Sequence, residues 1–69
     1  MEKARQIIFN RIVELIERKD SLLDYEVRYE GYISESEQKR NDERYHELNI
    51  IQHELEKLLV RMYEDDVIQ

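Results

Sequence analysis

The sequence predicts an all-α protein: a two-helix antiparallel hairpin, coiled-coil-like, that dimerises into a helical bundle. Three observations predict it. The 69 residues contain no proline and one glycine, Gly31, close to the middle, which is the layout of two helical arms joined by one turn. Apolar residues recur at spacings of three and four on both sides of that glycine, the period of an amphipathic helix. A chain this short is one domain, residues 1–69, and buries only about 60% of the surface its unfolded form exposes. With no cysteine to staple it, a second copy is the usual way to enlarge its core.

The first arm is expected over about residues 3 to 30. Ile8, Ile12, Leu15, Leu22, Tyr29 and Ile33 form one seam, and Phe9, Ile16 and Leu23 repeat every seven residues beside it. Together they are broader than one partner helix covers, so a second chain is expected to bury the surplus. Lys19 and Glu26 interrupt the seam. They either lie at its edge with their aliphatic stems on the core, or form a pair that sets dimer register. Asp20 and Ser21, followed by Asp24, also read as a cap, so a break near Ser21 stands as an alternative.

Residues 31–34 form the turn. Gly31 suits the left-handed position after a helix, with Tyr32 and Val27 as the apolar pair of a Schellman ending. Ser34 then caps the second arm, and Glu37, three residues on, completes a capping box.

The second arm is expected over about residues 35 to 64, with a frayed tail at 65–69. Leu48, Ile51, Leu55, Leu58 and Met62 form its seam. From Ser34 to Arg44 there is no apolar residue. In a hairpin centred near Gly31, residues 45–62 lie over roughly 4–21, and the apolar residues of 22–33 stay uncovered. The expected core and dimer set is therefore Ile12, Leu15, Ile16, Leu22, Leu23, Tyr29, Leu48, Ile51, Leu55, Leu58 and Met62.

Composition narrows the function. Seventeen acidic against eleven basic residues give a net charge of -6, which disfavours direct binding to nucleic acid or an anionic membrane and favours a basic partner. Hydrophobic residues make up 41% of the chain, too many for a disordered acidic tail. No apolar run is long enough for a membrane span, and the N-terminus has no signal-peptide core, so a soluble chain is expected.

Little points to chemistry. Glu43-Arg44-Tyr45-His46 matches the Glu-x-x-His ligand pair of di-iron bundles, but a second copy is needed and Ile50 stands where it would put a glutamate before His53. The histidines, seven residues apart, sit roughly 10 Å apart along a helix, too far to share one metal. A hairpin offers no concave site for paired carboxylates, and one glycine cannot build a phosphate loop. The expectation is a binding protein, not an enzyme, with no metal and no cofactor.

One local charge excess remains. Residues 20 to 37 hold Asp20, Asp24, Glu26, Glu30, Glu35 and Glu37 against Arg28 alone, a net of -5. This acidic tip also carries Tyr25, Tyr29 and Tyr32, rings that serve equally as partner contacts or as packing. Acidic rows on rigid helices either present carboxylates where phosphates would lie or serve solubility alone. Carboxylates four residues apart on one helix are about 6 Å apart, whereas duplex DNA carries a charge every roughly 1.7 Å, so several rows are needed.

A short acidic helical hairpin, cysteine-free and rich in Glu and Tyr, resembles the small host-takeover proteins of lytic phages, in particular the inhibitors of the bacterial nucleoid protein HU, which are dimeric DNA mimics. The resemblance implies a homodimer in the cytoplasm of an infected bacterium, with Asp20, Asp24, Glu26, Glu30, Glu35 and Glu37 facing the DNA-binding surface of HU. A second resemblance concerns His53-Glu54-Leu55-Glu56-Lys57-Leu58, which is similar to the Ser-Gln-Glu-Leu-Asp stretch of the short sporulation phosphatases that act on response regulators. Gln52-His53 stands there for Ser-Gln, and Glu56 stands for the aspartate. A structural or adaptor coiled coil needs only the Leu48 to Met62 seam.

Overall fold

The computed structural model describes the backbone of residues 2–68 and the side chains of residues 2–65. Two helices, α1 (Glu2–Arg28) and α2 (Glu35–Ile68), pack against each other as an antiparallel hairpin 54 Å long. α1 runs unbroken through Ser21, so Asp20 and Ser21 do not cap a second segment. α2 continues to Ile68, past the expected end at 64. The frayed tail at 65–69 is thus helical through 68, and Gln69 lies outside the described residues.

The turn follows its sequence signals with one change. Gly31 has φ +87°, a left-handed conformation that an L side chain adopts only at a cost. The Tyr32 N–H donates to the Tyr29 carbonyl at 2.9 Å, closing a four-residue turn with Gly31 third, where a type II turn requires positive φ. That bond uses the N–H a Schellman ending would send to the Val27 carbonyl. Val27 and Tyr32 accordingly stay exposed, at 74% and 89%, and the expected apolar pair does not form.

Ser34 caps α2 as expected: its Oγ accepts from the Glu37 N–H at 3.2 Å and its carbonyl from the Gln38 N–H at 2.9 Å. The reciprocal half of the capping box is replaced. The Glu37 carboxylate instead accepts from the Tyr25 hydroxyl at 2.8 Å, tying the start of α2 to the last turns of α1.

The core lies along one seam. Ile12, Leu15 and Leu48 are its buried apolar residues, Leu15 fully so. Arg5, Ile8, Lys19, Leu22 and Glu26 of α1 are half-buried on the same line. The line on α2 runs Asn41, Tyr45, Leu48, Gln52, Leu55, Leu59 and Met62, in steps of four and three. This corrects the expected seam at two positions, because Ile51 and Leu58 are exposed at 46% and 45% while Gln52 is 8% exposed and buried. Two heptad series pass through Leu48, Leu55 and Met62. The one through Ile51 and Leu58 extends back to Arg44, whereas the one through Gln52 and Leu59 extends to Tyr45 and lets the helices stay in contact nearer the turn.

Register agrees with expectation. Lys19 Nζ donates to Asn49 Oδ1 at 3.0 Å, and the Arg5 guanidinium sits 4.7 Å from the centre of the Tyr63 ring, so residues 45–62 do lie over roughly 4–21. Lys19, also 5.5 Å from the Tyr45 ring, leans from the seam toward α2. Ile16, Leu23 and Tyr29 are no part of the hairpin's own core, exposed at 38%, 45% and 47%. Burying a side chain of this kind contributes about 1.5–3 kcal/mol, against about 1–2 kcal/mol of backbone entropy for every residue ordered. Three buried apolar residues leave the isolated hairpin marginal.

Candidate protein-binding surface

Packing along one seam leaves the hairpin two broad faces. On the first, Asn49 and Tyr63 of α2 meet Lys19 and Arg5 of α1, and Phe9, Gln6 and Tyr63 line a shallow groove. On the second, Tyr25 meets Glu37, and Arg18, Ser21, Tyr25 and Arg44 line a groove over Leu22 and Leu48.

The faces differ in charge. Extending the seam's heptad positions along both helices puts Arg11, Arg18, Arg28, Arg40, Arg44 and Arg61 on the second face, six of the seven arginines in the chain. Against them stand Glu14, Glu37, Glu47, Glu54 and Asp65, so that face carries +1. Arg5 and Lys19 reach from the seam onto the first face, at Tyr63 and Asn49. Glu2, Asp20, Glu35, Asp42 and Glu56 stand there against Lys39, Lys19 and Arg5, a net of -2. The first face is therefore the more acidic of the two, -2 against +1.

The six carboxylates of the expected acidic tip are not brought together. Asp24 is paired with Arg28 at 3.2 Å. Glu26 is half-buried on the seam, and Glu37 is held by Tyr25 on the arginine-bearing face. Glu30 is exposed in the turn. Only Asp20 and Glu35 share the acidic face, both exposed and without an ion pair among the described residues. The physical reason is helical geometry: each residue advances about 100° around the axis, so a run that is contiguous in sequence spreads around the helix. Glu14 is bound by Arg11 at 2.9 Å.

The acidic face also carries a long apolar strip. Phe9, Val13, Ile16, Leu23 and Val27 line its α1 half, each between 36% and 74% exposed, at steps of four, three, seven and four, with Asp20 in the gap between Ile16 and Leu23. Phe9, Ile16 and Leu23 were legible as a second stripe. Val13 and Val27, and the separation of the arginines, become visible only once the seam fixes which way each helix is turned.

The tyrosines of the turn end divide. Tyr25 packs on Tyr29, ring centres 4.8 Å apart, and donates to Glu37. That hydrogen bond to the carboxylate, with some desolvation and the nearby negative charge, raises the Tyr25 pKa above its ordinary value of 10.0. Tyr32 projects free in the turn.

His46 and His53 lie on the acidic face. His53 Nδ1 is 3.5 Å from a Glu56 oxygen, and Gln52 Nε2 donates to the other at 2.7 Å. Among the described residues no group of three His, Cys, Asp or Glu side chains is placed to hold a metal ion, and no helix is long and apolar enough to cross a membrane. No protein-family model, curated protein or solved structure matches this chain.

Proposed function

We propose that this chain is a non-enzymatic binding protein whose acidic face covers the nucleic-acid-binding surface of a basic protein, acting as a DNA mimic on a partner of the HU type. The observation that carries this reading is the excess of carboxylates on one broad face, five against Lys39, Lys19 and Arg5, with Asp20 and Glu35 exposed and in no ion pair among the described residues. Two helices supply parallel rows, which is what a single row at about 6 Å spacing lacks as a match to duplex phosphate. A net-negative face also accelerates encounter with a basic partner and makes the complex sensitive to salt.

The test is competition. Purified HU, loaded on a labelled DNA duplex, is titrated with the chain at low and high salt. Displacement that weakens as salt rises supports the reading; a chain that leaves the duplex bound at every salt concentration sinks it.

A second reading has one observation in its favour. Gln52 and His53 both reach Glu56, so the stretch similar to the sporulation phosphatases forms one polar cluster on α2. Under that reading the chain shortens the life of a response regulator's aspartyl phosphate, and Glu56→Gln abolishes the effect. An unchanged phosphate lifetime removes it.

A further inference from the structure

The acidic face does more than display charge, because the same face carries the uncovered apolar strip. From Phe9 to Val27 the strip runs eighteen residues, roughly 27 Å along α1, and its steps of three, four and seven are those with which one helix meets another. Surface of this extent and regularity marks a docking site.

We infer that the occupant is a basic amphipathic helix of the partner, its apolar stripe on Phe9, Ile16 and Leu23 and its lysines or arginines over the flanking carboxylates. This deepens the proposed function and rests on it for the sign of the partner's charge. Two features select this occupant over a second copy of the chain. Pairing two such faces sets -2 against -2, a like-charge juxtaposition that disfavours the complex. Asp20 interrupts the strip, and a carboxylate covered without a cation is strongly destabilising. A second copy's strip brings another Asp20, whereas a basic helix brings the missing cation.

Three labelled synthetic peptides test this by fluorescence anisotropy: a leucine/lysine helix with leucines at heptad a and d, its leucine/glutamate counterpart, and the leucine/lysine composition scrambled so that no stripe forms. The striped basic helix is expected to bind at least tenfold more tightly than either control. Ile16→Ser with Leu23→Ser is expected to remove at least tenfold of that affinity while circular dichroism stays unchanged, since both side chains lie outside the core. Equal binding of the scrambled peptide overturns the inference, because charge alone then suffices. So does sedimentation equilibrium showing a wild-type dimer that this double variant converts to monomer. HU captured equally by wild type and double variant refutes the strip's role and leaves the acidic reading intact. Striped-peptide binding without any displacement of DNA from HU supports the docking surface and refutes that partner.

Discussion

Gln52 sits on the seam with its Nε2 satisfied by Glu56 and its Oε1 buried without a partner. A buried acceptor of this kind costs about 1–3 kcal/mol. Gln52→Leu, which adds apolar area at a position already facing α1, is therefore expected to stabilise the hairpin by about 1–2 kcal/mol in urea denaturation; destabilisation would show that the Glu56 bond outweighs the stranded oxygen. Tyr25 gives a second prediction at this scale. Its folded pKa is raised, so its bond to Glu37 stabilises the fold below the unfolded pKa near 10.0 and is lost as pH rises through the folded value. Ultraviolet titration should show the Tyr25 phenolate forming above the ordinary pH, with Glu37→Gln bringing it back toward 10.0. No hint of this contact was available in the sequence, where Glu37 reads as the second half of a capping box and Tyr25 is twelve residues away.

At the scale of elements, what was legible is what depends on neighbours in sequence. Gly31, Ser34 and the empty stretch to Arg44 located the turn, the cap and the register of residues 45–62 over 4–21, because each is a local signal. The rotation of α2 was not legible. Ile51 and Leu58 outrank Gln52 and Leu59 together on hydrophobicity, and only the opposing helix, through Leu15 and through Lys19 at the Tyr45 ring, decides which series faces inward. The two choices make different energetic demands. Leu48→Ala is expected to cost about 2–4 kcal/mol as a core truncation, and Ile51→Ala to stay within about 0.5 kcal/mol as a surface change. Chemical denaturation of both in the Gln52→Leu background separates the seams; equal losses would restore Ile51 to the core.

For the whole molecule, the net charge of -6 was plain from composition, and so was the surplus of apolar residues on α1. Their coincidence on one face was not. Six arginines scattered from Arg11 to Arg61 in the sequence gather on the opposite side only when two helices turn their seams toward each other. The acidic tip, contiguous along the chain, is dispersed by the same rotation: Asp24 and Glu37 acquire partners, Glu26 turns inward, Glu30 stays in the turn, and Asp20 and Glu35 remain on the acidic face. A marginal core and a large uncovered strip follow from the same distribution, and under the proposed function a bound partner adds stability by mass action. The thermal midpoint of the chain should accordingly rise on saturation with its partner and stay fixed with an acidic protein of similar size.

The most direct measurement of the central claim is the affinity of the wild-type chain and of Asp20→Lys with Glu35→Lys for HU, taken by calorimetry at low and at high salt. If the acidic face is the contact, wild type binds and weakens with salt, and the double reversal costs at least tenfold, about 1.4 kcal/mol, with helicity unchanged. Equal affinity of the two proteins, or binding indifferent to salt, would contradict it.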